Sequence, residues 1–194
     1  VHFLTLALLL GGPFFWFGVW GPSRGKWRAT ADPAVDAALY RRVRLGVILG
    51  TVLFSLSALA DAVRAAAQVF DPRETDLLLM YLQRTRYGQV SVLKAALAPV
   101  FLLLFLYRSS GPGRRAPRSR LIGTGLVLVG ITLAAGISFT SHAAARPDFA
   151  PVVVDLVHQL AGVVWGGGVI FFAALPWALL LRNARASVPA LRAA

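Results

Sequence analysis

Residues 121–141 read LIGTGLVLVGITLAAGISFTS, an apolar run with no charged side chain. A helix needs about 20 such residues to cross the hydrocarbon core of a bilayer. The run is continuous, whereas a membrane barrel strand alternates between lipid-facing and lumen-facing residues. Four more apolar runs lie near 2–20, 45–63, 87–107 and 152–181. The expected architecture is therefore an all-α, polytopic membrane helical bundle of about five transmembrane helices, forming a single domain over 1–194.

Composition agrees with this class. The chain is 57% hydrophobic and only 14% charged, with a mean hydropathy of +0.68, while soluble domains carry about 25% charged residues. The net charge of +12 sits between the apolar runs, where topology signals belong, so no nucleic-acid partner is expected and membrane lipid is. Cysteine is absent, which excludes a disulfide framework and a thiolate metal site. Met80 is the single methionine, so a methionine-rich copper relay has no residues to use. The first apolar run has neither a basic stretch before it nor a small-residue cleavage site after it, and reads as a retained helix rather than a secretory signal. Val1 is an unusual first residue, as an atypical start codon or a fragment would give.

The loops orient the bundle. The segment after the first run reads as a basic loop with a short surface helix over Pro33–Arg42, and Thr75–Gln83 as an interfacial helix; a bend is expected near Pro176. Fourteen basic residues fall in the first loop, the third loop and the tail, against five in the second and fourth loops. The positive-inside rule then puts the N-terminus outside and the C-terminus in the cytoplasm of a multi-pass membrane protein. Six of the eight acids fall on the outer side in this arrangement.

The same topology brings all three histidines, His2, His142 and His158, to the outer level. An ionisable residue at membrane depth is a functional-site hypothesis by default, and three imidazoles at one level suit a metal or haem. His158 is the strongest candidate. Asp155 precedes it by one turn, as a carboxylate that orients a ligating imidazole would. Gly162 follows it by one turn, leaving room for a ligand, and Trp165 is placed to wall the site. Lys94, within the third run, is expected either to snorkel to the interface or to pair with Asp61 or another anion. Gly46 and Gly50, and Gly162 and Gly166, have the spacing that lets helix backbones approach.

An internal echo links the first and last runs. With an offset of 156, His2 aligns with His158, Leu4 with Leu160, Gly11 with Gly167, Gly12 with Gly168 and Phe15 with Phe171. A duplicated helical unit would leave such a trace, and in membrane proteins sites often lie at the repeat interface.

No phosphate-binding glycine loop, nucleophile elbow or metalloprotease motif occurs, and nothing pairs a nucleophile with a general base, so no enzymatic activity is expected. Imidazole ligands suit copper, zinc and iron alike.

Three segments together have a familiar look. Arg86-Tyr87-Gly88 with Leu93-Lys94, then Ser141-His142-Ala143-Ala144, then Asp155-Leu156-Val157-His158 with Ala161, Trp165, Gly167 and Gly168, resemble in order and spacing the motifs of the copper resistance D family. Ser141 stands where glycine is usual, and the run Gly166–Gly168 is richer in glycine than the family pattern. The resemblance implies a multi-pass bundle of the bacterial inner membrane that binds or transports copper, with His142 and His158 as metal ligands and Lys94 and Asp155 in support. It also implies a periplasmic copper-binding protein or a larger membrane complex as partner. The alternatives are a haem b-binding membrane protein, including a form that resembles the membrane protoporphyrinogen oxidases, and an accessory subunit of a larger complex.

Overall fold

The computed structural model describes residues 2–23, 32–71, 73, 75–110, 117–141, 144 and 148–182. Among them the secondary structure is helical throughout, with no strand. Helix α1 (His2–Phe14) runs into a π-helical stretch (Phe15–Trp20) and a last turn, α2 (Gly21–Ser23). Then come α3 (Pro33–Ala67), α4 (Thr75–Arg84), α5 (Arg86–Ser110), α6 (Pro117–Ser138) and α7 (Ala150–Ala173). Five segments are long and apolar enough to cross a membrane: 2–23, 33–67, 86–109, 120–138 and 150–173. The fold class expected from the sequence is the one observed.

The helix ends follow local chemistry. Asp32 caps α3 by accepting the Ala34 N–H at 2.7 Å, and Pro33 occupies the first turn, where its missing N–H costs nothing. The stretch expected to be a separate surface helix over Pro33–Arg42 is instead the start of α3, which runs unbroken for 35 residues. No glycine or proline interrupts it between Ala34 and Leu45, so nothing in the chain stops the helix there. Thr75–Arg84 forms the short amphipathic helix expected at an interface and buries none of its residues. Pro13 lies inside α1 and cannot donate to the carbonyl one turn before it. Just beyond it the ladder widens, and Gly21 N–H reaches back to Trp16 O. The last span ends at Ala173, with a break before Pro176 and helical turns over 177–182, so the bend expected near Pro176 is a helix end.

Contacts fix the directions. His2 meets Asp61, Leu9 meets Gly50 and Trp20 meets Asp36, so α1 and α3 are antiparallel. Tyr40 with Ser109 and Ser55 with Ala95 make α3 and α5 antiparallel, and Arg108 with Gly123 and Lys94 with Thr140 do the same for α5 and α6. Helices α1 and α7 are parallel and cross at a bare backbone contact. A Cβ built on Gly167 would lie 2.4 Å from Gly11 Cα and 2.9 Å from Ala7 O, and one on Gly11 would lie 2.5 Å from Gly167 Cα and 3.2 Å from Val163 O. The pairs 7 with 167 and 11 with 163 interchange under the offset of 156. Phe15 and Phe171, also equivalent in the echo, pack with ring centroids 6.3 Å apart. The two echoing helices thus meet about a local two-fold axis, as a symmetric helix pair would.

The chain closes as a ring in which α1 packs on α3 and α7, α3 on α5, α5 on α6 and α6 on α7. Phe54, Phe105, Phe171 and Leu133 are fully or almost fully buried inside it. One end of the bundle carries His2, Asp61, Lys94, Asp155 and His158, and the other carries Arg42, Arg108, Arg120 and Arg182.

Candidate functional site

The best-organised polar group among the described residues lies at the histidine end, between α1 and α3. Residues Phe54, Ser57, Asp61 and Arg64 recur along one face of α3 at helical spacing and meet the first turn of α1. There His2 Nε2 pairs with Asp61 Oδ2, and Ser57 Oγ lies 3.0 Å from His2 Nδ1. The imidazole stands edge-on to the Phe54 ring, with centroids 5.9 Å apart. Arg64 Nη2 is 3.5 Å from the other carboxylate oxygen of Asp61. Both nitrogens of the ring are therefore engaged, and its orientation is set by a carboxylate on one side and a hydroxyl on the other.

Lys94 lies deeper. It is 3% exposed, which overturns the expectation that it snorkels to the interface. Its Nζ donates to Thr140 Oγ1 at 3.2 Å, and its stem fits against Gly136, where a Cβ would stand 2.9 Å from Lys94 Cγ. The small residue on α6 gives the four-carbon chain a slot inside the bundle, so it has no route along the outer surface. The partner expected for Lys94, Asp61, is taken by His2, although its charge still reaches both Lys94 and Tyr87. Two further hydroxyls, Ser91 Oγ and Ser138 Oγ, are buried at the same end of α5 and α6 with no hydrogen-bond partner among the described residues. Burying such a group unpaired costs on the order of 1–3 kcal/mol.

The residues around His158 are arranged differently from the sequence expectation. His158 is exposed on α7, on the flank that also carries Val154, Val157 and Trp165. Trp165 is 74% exposed and walls nothing within the bundle. The space beside Gly162 is filled by Phe3, whose Cε2 would be 2.7 Å from a Cβ there, so it holds a helix contact rather than a ligand. Asp155 accepts a hydrogen bond from Ser141 Oγ at 3.3 Å and so ties the end of α6 to the start of α7. His142 lies outside the described residues. Among the described residues no three histidines or carboxylates form a group able to hold a metal ion.

The structure thus brings His2 to Asp61 and Ser57, Lys94 to Thr140, and Asp155 to Ser141, and it puts His2 and His158 at one end of the bundle without joining them. Ser57, Thr140, Ser91 and Ser138 were not legible as members of this group. Each is one hydroxyl on an apolar helix, and only the antiparallel pairing of α1 with α3, and of α5 with α6, reveals what it faces.

These features define a helical multi-pass membrane protein with a polar seam at one end. The model of the copper resistance protein D-like, N-terminal domain family matches residues 1–152, and the chain belongs to that family. The match takes in α1 to α6 and ends at the start of α7, so Asp155 and His158 lie beyond it. No curated protein and no solved structure matches the chain.

Proposed function

We propose that the protein binds or transports copper at the histidine end of the bundle and is not an enzyme. Family membership supports the choice of metal, and the observation that carries the choice of place is His2, held between α1 and α3 by Asp61 and Ser57. Copper is here the cargo. Its ligands are the imidazoles of His2, His142 and His158, and three imidazoles without a thiolate suit Cu(II), or Cu(I) less tightly. Asp61 exchanges its bond to His2 for the metal, while Asp155 and Lys94 set the surrounding charge. Lys94 is buried at the same end of the bundle, and its ammonium form weakens the hold on an arriving cation. A transport site requires that balance, since the ion must be able to leave as well as enter.

The charge distribution supports an outward-facing histidine end, because fourteen basic residues lie in the segments on the opposite side against five on this one. The site then opens to the outer compartment of a bacterial inner membrane, where a periplasmic copper-binding protein would deliver or receive the ion. The cavity of about 380 Å³ lined by Leu10, Phe101 and Arg108 has no histidine among its described lining residues, which gives haem b no pair of axial ligands there.

The test is metal analysis and an absorption spectrum on the same purified sample. Copper should be retained without a Soret band, and occupancy should fall in His2→Ala and in the His142→Ala/His158→Ala pair. Unchanged copper in all three-histidine variants would remove the site, and a Soret band would replace copper by haem.

A further inference from the structure

Towards the end that carries Arg108, the closed ring of helices leaves a space between two members that are not neighbours in it. Helix α1 packs on α3 and α7, and α6 packs on α5 and α7, while α1 and α6 approach each other only where the Leu10 side chain faces Gly130. Between them is a cavity of about 380 Å³. It opens sideways past Phe14, Val127 and Ile131, which are 43%, 60% and 41% exposed, towards the region occupied by lipid chains. Its floor is carbon, from Leu10, Phe101 and Leu126. From Gly123 to Ile131 it follows α6 for about 12 Å, at 1.5 Å per residue.

Arg108 is the one charged residue among the described residues of the lining. Two features hold it there. Its guanidinium lies over the Phe17 ring, 4.7 Å from the centroid, and it fills the space beside Gly123, where a Cβ would come within 2.3 Å of Nη1. Arg120 stands exposed one turn before Gly123. The cleft therefore joins an apolar trough, open to the bilayer, to a cationic mouth at the level of the lipid headgroups. That combination matches an amphiphile with a negative head and a hydrocarbon tail, drawn from the surrounding leaflet.

We propose that this cleft binds an anionic glycerophospholipid, with one acyl chain between α1 and α6 and its phosphate against Arg108. The lipid completes the packing that the helices leave open. A guanidinium suits the phosphate because its planar fork pairs with two oxygens. The net negative charge of the lipid distinguishes it from a zwitterionic one, whose ammonium group offsets the attraction.

Native mass spectrometry of the full chain tests this, after reconstitution with equimolar phosphatidylglycerol and phosphatidylcholine of identical acyl chains. The wild type should retain phosphatidylglycerol over phosphatidylcholine by about fivefold, the factor equivalent to about 1 kcal/mol for one interfacial arginine. Arg108→Gln should bring the ratio to about one. Val127→Trp fills the trough from an exposed position that the core does not need, and should abolish retention of both lipids. It carries the test alone if Arg108→Gln, which also loses the Phe17 contact, does not yield folded protein. Equal retention of the two lipids by the wild type, an undiminished preference in Arg108→Gln, or undiminished retention in Val127→Trp would each overturn the proposal.

Discussion

Replacing Gly167 with alanine adds one methyl group at the point where α1 and α7 touch through their backbones. The new carbon would stand 2.4 Å from Gly11 Cα and 2.9 Å from Ala7 O. Ordinary contact begins at 3.4 Å, so the helices must part by about 1 Å. Neither obstacle is the end of a flexible side chain, so rotamer changes give no relief. Overpacking of this kind costs about 1–3 kcal/mol, and a gap of about 1 Å forfeits up to about half of the dispersion energy along the crossing. Alanine recovers up to about 1 kcal/mol through its higher helix propensity. The net loss is about 1–2 kcal/mol, measurable as a shift in the midpoint of denaturation by sodium dodecyl sulfate in mixed micelles. Gly168→Ala is the matched control, because nothing lies within 4 Å of its added carbon, and it should be neutral or slightly stabilising. Gly11→Ala combined with Gly167→Ala should cost less than the two single losses added, since helices already parted for one methyl admit the second more easily. A Gly167→Ala protein as stable as Gly168→Ala would refute the backbone crossing.

Three further substitutions probe other parts of the bundle. Lys94→Met keeps the chain length and removes a buried charge, so stability should hold or rise in thermal unfolding, whereas Lys94→Ala should lose about 2 kcal/mol or more by opening a cavity beside Gly136; equal melting temperatures for the two would contradict the slot. Trp20→Phe removes the indole N–H that donates to Asp36 Oδ1 at 2.7 Å, and should cost about 1.5–3 kcal/mol in the same denaturation assay, as a hydrogen bond to a charged group does. Phe171→Ala, at a side chain 2% exposed, should cost about 3 kcal/mol or more, while Trp165→Ala at 74% exposure should stay within about 0.5 kcal/mol of wild type. A destabilised Trp165→Ala would show that its flank of α7 is covered.

The sequence was most legible where length and hydrophobicity alone decide. Five apolar runs became five spans, and the stretch Thr75–Gln83 lies within a short helix, Thr75–Arg84. The boundaries were less legible. Charged residues such as Arg41, Arg42 and Arg44 look like a loop by hydropathy, yet they are good helix formers and continue α3 from Pro33 onward. At the site, the antiparallel order of the helices was enough to put His2 and His158 at one end. Facing directions were not accessible, because a shift of one residue turns a side chain by 100° around the helix. That is why His158, with Asp155 one turn away, looked better supported than His2, and why Asp61 was assigned to Lys94. The space beside Gly162 looked available because Phe3 is 159 residues away in the chain and its approach depends on the pairing of the first and last spans.

That pairing also governs how the protein assembles. Helix α1 precedes α7 in the chain, yet its backbone contact with α7 cannot form until that later span has been made. Until then its small-residue face, with Ala7 and Gly11 at the centre, has only lipid against it. The spans between can zip in order, α1 with α3, then α5, then α6, each against its neighbour in the chain. Arrival of α7 converts an open sheet of helices into a closed ring, so the slowest event to complete is a contact across 156 residues of chain. Substitutions at Gly11 or Gly167 are therefore expected to let early spans insert normally and to leave the first helix accessible to a competing partner.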